Sequence, residues 1–218
     1  HLLSAKESDT TITHNTSSNG SLGATIGAGG LQGLSASYGK GGQNSIAKDT
    51  VHKESTVSAG RIARIESGND TNIIGSQVKA KQVTANVAGN LHIESEQDSK
   101  EYHEEGKQIG ASLGYNVASH QLSGFGSAGK SKTDSHYASV TEQAGIQAGK
   151  DGFDLTVGKE TSLKGAVISS TAEKEKNQLT TGTLSWEDVE NKANYKTGEK
   201  GIAYAPKTAG VALNARGL

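Results

Sequence analysis

The chain contains no cysteine and no methionine, one proline (Pro206), one tryptophan (Trp186) and two phenylalanines in 218 residues. Its arginines are Arg61, Arg64 and Arg216. Without cysteine there is no disulfide framework, no thiolate metal site and no catalytic thiol. Hydrophobic residues make up 32% and aromatic residues 4% of the chain. That supply is too thin for a compact globule, because each ordered residue costs roughly 1–2 kcal/mol of backbone entropy that apolar burial must offset. Disorder is opposed by the single proline and by a formal net charge of -1, from 22 Lys+Arg and 23 Asp+Glu. The near-neutral balance also lacks the footprint of a nucleic-acid or anionic-membrane binder, so no nucleic-acid partner is expected. No run approaches the roughly 20 apolar residues that span a bilayer. The opening His1-Leu2-Leu3 has neither the charged nor the apolar region of a signal peptide, and the chain reads as an excised piece of something longer.

What the chain has in abundance is glycine, 29 residues of it, together with serine, threonine and asparagine. A solenoid suits this composition, since each coil then buries only a thin stripe of Val, Ile, Leu and Ala against its neighbours. Internal self-similarity supports that reading. Leu3–Thr10 resembles Ile93–Lys100, and Ser21–Gly27 resembles Gln108–Gly114. Ser55–Gly60 resembles Val140–Gly145, and Gly68–Gly75 resembles Gly158–Gly165. The four matches are collinear and indicate a duplication, with a first unit over 1–90, a second over 91–205, and a loose continuation over 206–218.

Each unit has two textures. One consists of short apolar segments after Gly-Asn turn signals, in Arg61–Gly75, Val83–Ile93 and Gly149–Gly158. Ile73 and Ile93 fall one coil apart, and Phe153, Leu155 and Val157 alternate, as short strands of a parallel β-helix require. The other texture is longer and alternates strictly: Leu22, Ala24, Ile26 and Leu34, Ala36, Tyr38, then Ile109, Ala111, Leu113, Tyr115, Val117. These segments predict hairpin strands that project from the coils or add a sheet to them. In Ser185–Tyr195, Ser185 followed three residues on by Asp188 is a weak helix-start signal, and a short helix or ordered turn is expected there.

Several segments together resemble the haemagglutinin repeat of two-partner-secretion exoproteins, the filamentous haemagglutinin type. They are Val57–Gly60, Ile74–Val78, Gly89–Ile93 and above all Leu179–Ala193, and the likeness covers roughly residues 1–205. The resemblance implies a piece of a long secreted fibre, exported by a dedicated outer-membrane transporter and displayed at the bacterial cell surface. Such proteins act in adhesion or in contact-dependent toxin delivery to neighbouring cells, where the partner is a receptor, a glycan or the outer membrane of the target.

Sharper motifs have plainer explanations. Gly124–Ser131 (GFGSAGKS) matches the phosphate-binding loop pattern, but its polar approach and non-helical exit lack the strand and helix such a loop needs. It also occupies the place of the loop Tyr38–Asn44 in the first unit. The histidines His1, His14, His52, His92, His103, His120 and His136 are scattered, without metal-ligand spacing, and His92 is expected to point outward. Glu101, His103 and Glu104, in Lys100–Lys107, are the richest acid–base group, read as a charged loop at a coil boundary. A β-helical carbohydrate-active enzyme or glycan-binding module is the alternative function. It would need carboxylates stacked on one coil face, whereas Asp70 and Glu160 sit at matching turns of both units, as structural residues do. The reading is therefore an all-β, elongated right-handed parallel β-helix (β-solenoid) with glycine-rich β-hairpin excursions. It carries no catalytic, cofactor-binding or metal residues, and its exposed coil edges allow edge-to-edge self-association of the fragment.

Overall fold

The computed structural model describes residues 1–205 and the backbone of 211–217. It is built of strands: β1 (Leu2–Leu3), β2 (Ala5–Gly27), β3 (Gly30–Lys53), β4 (Ser55–Ser67), β5 (Thr71–Ile74), β6 (Ser76–Val87) and β7 (Leu91–Glu94). There follow β8 (Asp98–Asn116), β9 (Gln121–Ser139), β10 (Gly145–Ala148), β11 (Phe153–Lys164), β12 (Val167–Ser170), β13 (Asn177–Glu187), β14 (Lys192–Tyr204) and β15 (Val211–Gly217). The helical element among the described residues is a single 3-10 turn, Lys174–Lys176. The chain divides into two compact units. The first comprises His1–Asp9, Asp49–Ser99 and Tyr137–Lys192, and the second Thr10–Lys48, Lys100–His136 and Ala193–Leu218.

In the first unit all strand pairs are parallel, and they form three runs of ladders. Val57 stands beside Val78, Val78 beside Ile146, and Ile146 beside Ile168. Ile65, Ala85, Leu155 and Leu179 form the second run. Leu2, Ile73, Ile93 and Leu163 form the third. The register breaks between Ala59 and Ile62 in β4, and between Val157 and Glu160 in β11, as each long strand passes from one run to the next. Because alternate residues of a strand point to opposite sides, the same column position is apolar in every layer. The core is these columns: Ile73, Val83, Leu91, Ile93, Ile146 and Leu155 are essentially inaccessible to solvent. Ile73, Ile93, Leu155 and Val157 are thus buried as their alternation predicts, while Phe153 is half-buried.

The corners between runs use glycine where backbone geometry demands it. Gly75 and Gly165, equivalent in the two halves, adopt φ of 54° and 57°, a region that side chains disfavour. At another corner a Cβ on Gly89 would stand 2.2 Å from Asp70 Oδ1 and 2.8 Å from the Asn69 carbonyl carbon.

The second unit is a six-stranded sheet in the order β15-β14-β9-β8-β3-β2. It consists of three hairpins laid side by side: β2–β3, β8–β9 and β14–β15. Cross-strand contacts run in opposite directions along neighbouring strands, as between Ser21 and Ser37 and between His14 and Asn44, so the hairpins are antiparallel. β14 and β15 pair antiparallel from Gly198↔Gly217 to Tyr204↔Val211. At the seam between hairpins the Val117 N–H donates to Gln32 O at 2.9 Å, and Thr133 and Thr197 hydroxyls meet at 3.4 Å. The long alternating segments are therefore hairpins that add a sheet.

Three local expectations are corrected. Ser185–Tyr195 holds no helix: β13 continues to Glu187 and β14 begins at Lys192. Ser185, Trp186 and Glu187 extend the ladder to β11, opposite Ser162, Leu163 and Lys164, and that pairing overrides the weak helix-start signal. The segments Lys100–Lys107 and Tyr38–Asn44 are not loops but interior parts of β8 and β3. Much of this sheet is solvent-accessible on both sides, so charged and small polar residues sit within strands without cost. Of the continuation over 206–218, only the backbone of 211–217 falls within the described residues.

Candidate functional site

The sheet of three hairpins presents two unlike surfaces. Alternation places Leu22, Ala24 and Ile26 of β2 on the same side as Leu34, Ala36 and Tyr38 of β3. Ile109, Ala111 and Leu113 of β8 continue that side. Leu22 is 89% and Ile26 77% exposed, and Tyr38, Ile109 and Leu113 are exposed as well. The opposite side carries Ser17, Ser21, Ser35 and Ser37 interspersed with glycine. Serine and glutamine side chains lie over several of those glycines: a Cβ on Gly23 would meet Ser35 Oγ at 2.6 Å, and one on Gly129 would meet Gln108 Nε2 at 3.2 Å.

Further along β8 and β9 is the acid–base group found in the sequence. His103 Nδ1 lies 2.6 Å from Asp134 Oδ1, and Lys132 Nζ lies 3.3 Å from the other Asp134 oxygen. His136 Nδ1 approaches Glu101 Oε1 at 3.7 Å. Hydrogen bonding from His103 holds the Asp134 carboxyl below its ordinary range against the opposing effect of burial, with Lys132 adding to the lowering. Strand geometry divides the expected trio. Glu101 and His103 share one side, while Glu104 points to the other and accepts a short hydrogen bond from the Tyr102 hydroxyl. These contacts are solvent-accessible ion pairs and hydrogen bonds within and between neighbouring strands, a class of interaction that adds little to stability. Gly124–Ser131 lies wholly inside β9. Its backbone N–H groups point alternately toward two neighbouring strands, so they do not converge on a phosphate.

The first unit has a group that the sequence did not reveal. A cavity of about 400 Å³ is lined by His52, Glu54, Gly75, Glu96, Asp98 and Glu142, among others. The His52 backbone N–H donates to Asp98 Oδ1 at 2.7 Å, and its ring Nδ1 lies 3.1 Å from Gln97 O. Thr141 Oγ1 donates to Asp98 Oδ2 at 2.6 Å, and Ser4 Oγ makes a short bond to Glu96. Burial, together with hydrogen bonding and repulsion from Glu142, pushes the Glu54 carboxyl up to about 7. Gln77, nearly fully buried, donates its amide to Glu54 at 3.1 Å and to Gln143 O at 2.9 Å. No local pattern announced this cluster, because His52 and Glu54, Gly75, Glu96 and Asp98, and Glu142 lie in four separate stretches of the chain that only the fold brings together. Among the described residues no group of three or more His, Asp or Glu side chains is arranged to hold a metal ion.

His92 is flanked by buried Leu91 and Ile93 and stays on the outer side of β7, where its Nε2 meets Glu94 at 3.0 Å and its Nδ1 meets Ser162 at 3.2 Å. Burial alone would raise the Glu94 carboxyl, but Lys164 and His92 outweigh it and leave Glu94 lowered. Asp70 and Glu160, the matching turn residues, join the same structural ladder. Asp70 accepts from Asn90, and the Glu160 N–H donates to Asn90 Oδ1 at 3.3 Å.

Parallel-paired strands and hairpins that recur in the same order along the chain define a tandem-repeat β-protein. The hemagglutinin repeat family model matches residues 1–109 and again 99–202. The chain belongs to the hemagglutinin repeat family. It is 42% identical over 205 residues to a toxin CdiA of Escherichia coli, covering 93% of this chain and 6% of that protein. It is 36% identical to a deoxyribonuclease CdiA of Dickeya dadantii, with the same two shares. A deoxyribonuclease CdiA of Yersinia pseudotuberculosis is 40% identical, with 92% of this chain and 18% of that protein covered. The chain thus spans only a small share of the length of these relatives. No solved structure matches it.

Proposed function

We propose that the chain is a structural segment of a large secreted bacterial surface exoprotein that acts in contact-dependent toxin delivery to neighbouring cells. The observation that carries this reading is the 93% coverage of the chain by a toxin relative of which it represents only 6%. The segment is non-enzymatic in this reading, and the toxin or nuclease activity in the relatives' names belongs to other parts of those proteins. The parent would leave the cell through an outer-membrane two-partner-secretion transporter and remain displayed at the cell surface. It would meet a receptor, glycan or outer membrane on the target.

The parallel layers of the first unit are coils of a right-handed parallel β-helix. Supporting this, Thr71 stands beside Leu91, twenty residues on, and the three ladder runs share the same order of layers. The handedness follows the general rule for parallel crossovers. Two tandem units, 1–90 and 91–205, each open on a short strand, β1 or β7, that leads into a hairpin and then into coil strands.

The test is an in-frame deletion of residues 1–205 from the parent exoprotein in its producing bacterium. Surface display, followed with an antibody to an upstream epitope, should persist while inhibition of neighbouring cells is lost. Unchanged inhibition at equal display would overturn the reading.

A further inference from the structure

We propose that the outer edge of β2 is a strand-accepting site, specific for the second strand of another hairpin of the same repeat type. β2 ends the six-strand order, so among the described residues its outer edge has no partner. An exposed edge strand is normally protected against pairing by lysines, prolines, inward charges or bulges. From Thr10 to Gly27, β2 has no proline and no Lys, Arg, Asp or Glu. Its equivalent β8 carries Lys100, Glu101, Glu104, Glu105 and Lys107, although β8 already has a neighbour on each side.

The partner's identity follows from the seams already formed. Both hairpin–hairpin seams join the second strand of one hairpin to the first strand of the next, β3 to β8 and β9 to β14. β2 is a first strand, and its segment Ser21–Gly27 aligns with Gln108–Gly114 of β8. What β3 does for β8, an equivalent second strand can do for β2.

The same seam sets the register. Val117 donates to Gln32, and a Cβ on Gly33 or Gly41 would meet the carbonyl of Tyr115 or Lys107. These contacts put Ser37 of β3 opposite Ser112 of β8. The β2 residue equivalent to Ser112 is Thr25, so an incoming second strand would place its Ser37 position opposite Thr25. Within the native β2–β3 hairpin, by contrast, Ser37 faces Ser21, their hydroxyl oxygens 2.7 Å apart.

Because the chain has no cysteine, that difference can be read by disulfide formation. A labelled peptide of residues 30–53 carrying Ser37→Cys would be added to folded chain carrying either Thr25→Cys or Ser21→Cys, each verified by circular dichroism. Saturable binding with cross-linking at Thr25→Cys and not at Ser21→Cys is the expected result. A first-strand peptide, residues 5–27, should not bind. Cross-linking at Ser21→Cys would mean that the peptide displaces β3, which overturns the proposal. Equal cross-linking at both positions, equal binding of the first-strand peptide, or no binding would overturn it too.

Discussion

Asn90 binds Asp70 twice: its backbone N–H reaches Asp70 Oδ1 at 2.7 Å and its side-chain amide reaches the same oxygen at 3.0 Å. Asn90 Oδ1 then accepts the Glu160 N–H, and the Glu160 carboxylate accepts Ser185 Oγ at 2.6 Å. One corner is thus tied through four successive layers by side chains that satisfy backbone groups the turn leaves unpaired. Asn90→Ala removes the central link and should lower stability by about 1–2 kcal/mol, since a hydrogen bond to a charged group is lost together with its neutral companion. Urea unfolding of the two proteins measures it, and an unchanged midpoint would show the ladder to be incidental.

Gly89→Ala tests the same corner sterically. The new Cβ would overlap Asp70 Oδ1 and the Asn69 backbone, and the backbone cannot swing aside as a flexible side chain would. A loss of about 2 kcal/mol or more is expected, within the range of mutations that force backbone strain. Gly60→Ala is the control, because nothing lies within 4 Å of its Cβ position.

Leu155→Ala should cost about 2–5 kcal/mol, the usual range for emptying a buried leucine site, because Leu155 is stacked between Ala85 and Leu179 in the core. Ile73→Asp should unfold the first unit, since it puts an unpaired charge into the column formed with Leu2 and Ile93. Leu22→Ala, at an 89% exposed site, should fall within about 0.5 kcal/mol of the parent protein. Thermal melts of the three variants separate buried columns from exposed strands.

Stability should decline as pH rises from about 4.5 toward 7. Glu54 is pushed up to about 7 from an ordinary value of 4.5, so between those values the folded chain holds a proton that the unfolded chain releases. The contribution is complete below the unfolded value and is lost as pH climbs through the folded one. Glu54→Gln should flatten this part of the profile, and Glu142→Gln should reduce it by removing the neighbouring carboxylate. Melting temperatures across that range decide the matter; an unaltered slope in Glu54→Gln would assign it to other groups.

Trp186 is 75% exposed on β13, so its fluorescence should be readily quenched by acrylamide in the folded chain. Trp186→Ala should shift stability by no more than about 0.5 kcal/mol. Emission protected from quencher would contradict the position of this strand.

The buried positions of the parallel ladders were legible because burial writes itself into the sequence. Ile73, Ile93, Leu155 and Val157 are apolar where each layer meets the next, and the Gly-Asn signals mark corners that the backbone uses. The hairpins were half-legible. Leu22, Ala24 and Ile26 alternate visibly, but Lys100–Lys107 reads as a loop because a sheet accessible on both sides puts no apolar demand on its strands. The helix signal at Ser185 failed because parallel pairing with β11 supplies more hydrogen bonds than a short helix end could. The cluster around Glu54 was invisible, since His52, Glu96 with Asp98, and Glu142 come from stretches far apart along the chain that meet only in the fold.

The order of elements has a consequence for how the length of such a protein can change. Each hairpin enters after the strand that closes a third-run layer, and two layers pass before the next hairpin enters. Adding or removing one whole period leaves every remaining strand beside a partner of the kind it already has. An insertion or deletion of another size would set a strand against a corner, or a first strand against a first strand. The protein's length is therefore quantised by its own registers, and lineages should lengthen or shorten it by whole periods while point changes accumulate freely on the exposed faces.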